Sequence, residues 1–303
     1  WGPILSTTGD FETYSTLFPR VTGKSVIDFL TAHPSNPNSI ANCVRAAREN
    51  ARTIRDQISD ELWECVNGMR LYVESVSSSR HQGVAFFERI LRGSYEFQGI
   101  AASTTPRGES WHFLRVGTCL ERADQMSRLL DTCSALSMEM PPHPDSKPLR
   151  WAALLRSCSS WHAFQVHSAR LDPAKVLEYL LLKEEFPRSV ACCVTEVHRA
   201  LLTLSGHDRF DDIPEHIRLA GRLRADLAYT KIEEIIEAGL HDYIDDLQTR
   251  LIEIGKAIFE AYVLYADLTP VAEETVAERP PPTAWHMGRE SELEIQQQQQ
   301  QQQ

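Results

Sequence analysis

A chain of 303 residues is long enough for one large domain or two small ones, and with 42% hydrophobic residues it can bury a sizeable core. A net charge of −11 argues against wholesale nucleic-acid binding, which needs a basic footprint; no run of about 18 uninterrupted apolar residues is present to span a membrane. Seven cysteines, an odd number without C-x-x-C spacing, argue against a disulfide scaffold or zinc ribbon and read as small core residues in a reducing cytoplasm.

Residues 1–22 have no sustained period and read as loop with one short helix; residues 24–32 suggest another. Pro37, Asn38 and Ser39 then supply helix-start chemistry. From there Ile40, Cys43/Val44, Ala47, Ala51, Ile54, Ile58, Leu62 and Cys65/Val66 recur with a period of about 3.6, which predicts one long amphipathic helix with those residues facing the core. A second helical stretch covers 69–100, with a break at "SVSSSRHQG", and a third covers 106–138. The segment "MPPHPDSKP" (140–148) carries four prolines and reads as the internal linker.

Helical patterns follow at 149–168, 173–184, 187–204, 213–238 and 241–266, separated by breakers such as "LDP", "SGHD" and Gly239. Strand signals are nearly absent. The fold class expected is therefore all-α: one elongated multi-helix bundle over 1–267, with two halves hinged at 140–148 as the alternative arrangement. From 268 the composition turns to "VAEETVAERPPPTAW" and a glutamine run, a low-complexity tail expected to be disordered.

Arg45, Arg48, Arg52 and Arg55 lie on the side of their helix away from the apolar stripe. Three readings are open: a solvated face with i,i+4 pairs, a clasp on carboxylates of another helix, or a grip on a ligand's phosphate or carboxylate. In "HFLRVGTCLERADQMSRLLD" (112–131), Phe113, Val116, Leu120, Ala123, Ser127 and Leu130 form the apolar stripe. Gly117 lies within it, where a small residue permits close helix approach, and Glu121 and Asp124 lie at its edge. Paired carboxylates can bind a cation or share a proton. The plainer reading is that Glu121 accepts hydrogen bonds from one of the arginines above.

"ESWH" (109–112) is a Glu-x-x-His, but di-iron bundles need two such units and a second is missing, so no metal site is expected and His112 reads as packed or capping. His162 and His167 are five apart, poor spacing for one helix face, and Glu237 and His241, though four apart, are separated by Gly239, which ends a helix between them. No P-loop, G-x-G-x-x-G, H-E-x-x-H or G-x-S-x-G is present, no cofactor is implied, and no cysteine sits in an obviously electropositive, exposed context.

The blocks "NPNSIANCVRAARENARTIRDQISDELWECVN", "FQGIAASTTPRGESWHFLRVGTCLERADQMSRLLD", "RWAALLRSCSSWHAF", "FPRSVACCVTEVHRAL" and "LAGRLRADLAYTKIEEIIEAGLHDYI" together resemble the bacterial alpha-E domain family across most of residues 1–265. The family's glutamate motif matches "LERAD" at Glu121, Arg122 and Asp124. The resemblance implies a neighbourhood containing a circularly permuted ATP-grasp ligase, fused or separate, and a transglutaminase-like protein. It also implies an N-terminal helix with its own copy of the motif, which this sequence lacks.

The function expected on that basis is an accessory, cytoplasmic helical domain working with an ATP-grasp amide ligase in peptide or amide-bond synthesis or modification. No nucleic acid and no membrane are expected as partners. The alternative is an enzyme acting on a peptide or amino-acid substrate. Glu121 and Asp124 would then be the catalytic candidates, with Arg45, Arg48, Arg52 and Arg122 binding the substrate.

Overall fold

A computed structural model describes residues 1–77, 83–139, 146–206 and 213–264. The expected serine break, most of the 140–148 linker and the low-complexity tail fall outside them. Among the described residues there is no strand. Residues 1–261 form one compact unit.

The chain opens with α1 (Gly2–Thr7) and α2 (Phe11–Leu17), where the sequence suggested loop with one short helix, and α3 (Gly23–Ala32), the short helix expected over 24–32. Helix α4 (Ile40–Thr53) starts where predicted, with Ser39 Oγ accepting from the Asn42 amide. It does not continue to Val66. The chain extends at Ile58 (φ −119°, ψ 153°), and Ser59 Oγ accepts from the Leu62 amide at 3.2 Å, so a new helix, α5 (Asp60–Ser77), begins. A hydroxyl able to cap interrupts a pattern whose apolar period alone looks continuous.

Helices α6 (Val84–Thr104) and α7 (Glu109–Glu139) follow, then α8 (Ser146–Ser157), α9 (Trp161–His167), α10 (Pro173–Leu181) and α11 (Val190–Ser205). The last three are α12 (Glu215–Tyr229), α13 (Ile232–Ala238) and α14 (Leu240–Phe259). The pattern over 149–168 is thus two helices, and that over 213–238 is two as well.

These elements repeat. Helices α2, α3 and α4 begin at Phe11, Gly23 and Ile40; α9, α10 and α11 begin at Trp161, Pro173 and Val190, a constant offset of 150 residues. The details recur with it. Tyr14 meets Phe29 edge-on at 5.2 Å, and Phe164 meets Tyr179 edge-on at 5.5 Å. The Asp10 amide donates to Leu5 O, and the Ser160 amide donates to Leu155 O. Ser39 and Ser189 cap equivalent helices. In the first copy α5 packs on α4 and α6; in the second α12 packs on α11 and α14.

The turn between α1 and α2 carries Gly9 at φ +74°; its counterpart between α8 and α9 is Ser159 at φ +56°. A side chain in the left-handed region costs about 1–2 kcal/mol. Ser159→Gly is therefore expected to stabilise the chain by up to about 1 kcal/mol, after loss of the Ser159 Oγ contact to Tyr95 OH (3.2 Å) and the greater entropy of an unfolded glycine. A denaturant midpoint that stayed put or fell would show that the turn holds no such strain.

Helix α7 organises the second copy. It packs along α11 and α14 and reaches α1, where Thr7 and Thr132 share a hydrogen bond of 3.0 Å. Val116, Ala123, Ser127 and Leu130 of its predicted stripe are buried, joined by Cys119 and Met126. Helix α4 departs from expectation: Ala41 and Ala51 are buried, but Cys43 and Ala47 are exposed and Ile54 is 47% exposed. Half of its predicted core face is bare.

Candidate functional site

Glu121, Asp124 and Arg128 sit at i, i+3 and i+7 on α7, so one face presents all three. With Gly117 and Leu120 they form one wall of a cleft of about 260 Å³; Leu251, Ile252 and Gly255 of α14 form the other. Leu120 would come within 3.5 Å of a Cβ placed on Gly255, whereas a Cβ on Gly117 would meet nothing within 4 Å. The close helix approach expected at Gly117 is therefore made at Gly255, and Gly117 opens the cleft instead.

Glu121 is exposed and accepts a hydrogen bond from Gln125 Nε2 at 3.0 Å. Arg128 Nε donates to Asp124 Oδ2 at 2.7 Å, which raises the guanidinium's pKa, with Glu121 adding to the effect. The motif's Arg122 turns to α6, where it donates to Gln98 Oε1.

The arginines of α4 and of the turn after it do not meet this site. Arg45 donates to Asn42, and Arg48 and Arg52 bracket Glu49, whose carboxyl they hold below its usual range. Arg48 and Arg55 stack over Trp63 at 5.2 and 5.7 Å, and Arg55 pairs with Asp60. Among the described residues none of the four ion-pairs with Glu121 or Asp124, so Glu121 does not accept from them as the plainer sequence reading had it; their local pairs match the solvated-face reading. Arg48, Arg52 and Arg55 find an acid or aromatic on their own helix or at the start of α5, and Arg45 an amide one turn back. Arg45 does line an open hollow of about 540 Å³ beside Pro34, Ser35 and Pro37.

The first copy contributes further polar groups near Glu121. A Cβ on Gly9 would lie 3.5 Å from Arg128 Nη1. Next to it Asp10 is 3% exposed: one carboxylate oxygen accepts from Asn38 Nδ2 at 2.8 Å, and Oδ2 has no hydrogen-bond partner. Burial raises the pKa of the Cys43 thiol, and the Glu121 and Asp10 carboxylates raise it further. In the second copy the place of Asp10 is taken by Ser160, whose hydroxyl donates to Leu155 O at 2.9 Å, and that of Asn36 by Phe186. The two copies have diverged, one polar and one apolar.

Sequence reasoning missed two features. Cys119 is buried, yet its pKa is lowered, first by a hydrogen bond from the Cys193 thiol and then by Arg115 and Arg122. Their i−4 and i+3 spacing was the available signal. Arg115 also donates to Glu196 of α11 at 3.1 Å, and Arg115 and Arg107 flank Trp111.

The second missed feature is His241. Gly239 (φ +102°) separates it from Glu237, and it reaches α7 instead, with Nδ1 2.7 Å from Asp131 and Nε2 3.7 Å from Asp245. Both ring nitrogens face carboxylates, so the Asp131–His241–Asp245 group is an ion-pair network. Asp131, then Asp245 and Asp242, raise the imidazole pKa. A raised folded value means the stabilisation is fully present below the ordinary histidine value near 6.5 and fades as pH rises through the folded value. The melting-temperature gap between the chain and His241→Ala should therefore be widest below about pH 6.5 and narrow as pH rises through the raised folded value. A gap independent of pH would rule out this pairing.

An all-helical domain with an internal duplication, a long central helix and an acidic motif at an open cleft is the class these features define. The chain belongs to the Alpha-E family, described as a predicted alpha-helical domain with a conserved ER motif, matched over residues 1–263. It is 24% identical over 257 residues to uncharacterised proteins of Mycobacterium bovis and of Mycobacterium tuberculosis, covering 82% of this chain. The chain spans only 27% of the length of those relatives. No solved structure matches it. Among the described residues no helix is long and apolar enough to cross a membrane.

Proposed function

We propose that the chain is an accessory helical domain that works with an ATP-grasp amide ligase in peptide or amide-bond synthesis or modification. Its part is to dock to the ligase or to present a substrate to it. The observation that carries this reading is the cleft itself. The motif acid Glu121 stands exposed at the lip, the Asp124–Arg128 pair is already mutually satisfied, and the far wall is apolar. Such a surface binds a segment through one charged anchor and an apolar strip. Length supports it too, since the matched relatives carry the domain as about a quarter of a larger polypeptide. A reducing, ATP-containing cytoplasm suits a chain whose seven cysteines are all free. A transglutaminase-like protein is the further partner in this proposal.

The second reading is an enzyme acting on a peptide or amino-acid substrate through Glu121 and Asp124. It is favoured by one observation: both carboxylates and Arg128 reach the same solvent-accessible cleft. Affinity capture of the tagged chain from its native cells, followed by mass spectrometry, tests the first reading. Recovery of an ATP-grasp protein supports it. Its absence, together with turnover of peptides by the isolated chain, would favour the enzyme.

A further inference from the structure

Four of the seven cysteines are buried: Cys65, Cys119, Cys158 and Cys193. Two of them face other groups: Cys65 Sγ donates to Gly93 O at 3.9 Å, and Cys158 Sγ lies 3.8 Å from the Met126 thioether. Cys119 and Cys193 face each other across the α7–α11 interface, thiol to thiol. The same interface carries the Arg115–Glu196 ion pair at 3.1 Å, four residues before Cys119 and three after Cys193, with both side chains 28% exposed. A polar seam about one helical turn long therefore runs from the buried sulfurs to solvent. The Glu121 cleft uses neither thiol.

We propose that Cys119 and Cys193 are a redox switch, in which a hydroperoxide oxidises the pair to a disulfide that staples α7 to α11 beside the Glu121 motif. Cys119 is the sulfur that reacts first. The Cys193 S–H, then Arg115 and Arg122, favour its thiolate against the opposing effects of burial and the Glu196 carboxylate. Cys192, the neighbouring thiol on α11, is kept protonated by burial and by Glu196, so it does not compete. The Cys119 thiolate attacks the peroxide O–O bond, forming a sulfenic acid and releasing hydroxide. The Cys193 sulfur then displaces the sulfenic hydroxyl; its thiol proton leaves with that oxygen as water, and the S–S bond forms. Two electrons pass from the sulfurs to the peroxide, and no other reactant is consumed. The bond closes on α7 two residues before Glu121, so it fixes the helix that carries the motif. The inference stands on the thiol pair and does not depend on the ligase reading.

The test treats the full chain with hydrogen peroxide at neutral pH and follows its tryptic peptides by mass spectrometry. Val116–Arg122 and Ser189–Arg199 are expected as one linked species, lighter by two hydrogens than their sum and separated again by dithiothreitol. Cys192→Ala, at a half-buried position, should leave the link in place. Cys193→Ala should lose it and leave Cys119 to oxidise on to the sulfinic acid, with helical content checked by circular dichroism. The linked chain should melt about 5 °C or more above the reduced one, as a bond closing a long loop predicts. A link through Cys192, or sulfinic acid at Cys119 in the unaltered chain, would overturn the proposal, because Cys193 would then not be the partner. So would a peroxide-treated chain that keeps both thiols free for iodoacetamide once unfolded, or one whose melting temperature fails to rise.

Discussion

Leu201→Ala should lower the unfolding free energy by about 2–5 kcal/mol, the range for truncating a buried leucine in a packed interior. Leu201 is 0% exposed on α11, which packs between α7 and α12. Truncation removes apolar area from a helix packed on two sides and leaves a cavity that the flanking helices limit from collapsing. Its neighbour Leu202 is 41% exposed, so Leu202→Ala should cost under about 1 kcal/mol. Urea unfolding of the two variants, followed by helical circular dichroism, measures the contrast. Equal costs would mean that α11 does not bury Leu201 more deeply than Leu202.

Glu121→Lys carries the largest functional effect. Under the proposed function the exposed carboxylate anchors the partner at the cleft lip, and reversing its charge sets an ammonium beside Arg128. Recovery of the ligase should fall by about tenfold or more, since like-charge placement at an interface costs several kcal/mol. Stability should change by no more than about 0.5 kcal/mol, because among the described residues Glu121 makes one side-chain hydrogen bond, to Gln125, and no ion pair. Measuring capture and melting temperature together separates the outcomes. A large drop in melting temperature would make Glu121 a structural residue, and undiminished capture would move the docking surface elsewhere.

The helices themselves were legible because apolar spacing is local. The stripe on α7, the cap at Ser39 and the break at Gly239 are each written within a few residues. Boundaries that depend on one hydroxyl or one left-handed residue were not. Ser59 split a continuous period, and Ser159 split the 149–168 pattern without a glycine to announce it. Within the site, Glu121 and Asp124 were identified from the motif, but their arginine is Arg128 on the same helix face rather than any of the arginines on α4.

By itself the sequence determined that this protein is a bundle of amphipathic helices, and it identified the acidic motif of α7. Both follow from periodicity, which every residue reads from its near neighbours. Only the tertiary structure decided which apolar faces are covered. Cys43 and Cys193 look alike in sequence, each following a serine cap in an apolar stripe, yet one is exposed and the other sealed against Cys119. Burial depends on what lies across the gap, and for α11 that is α7, a helix beginning some 80 residues earlier in the chain.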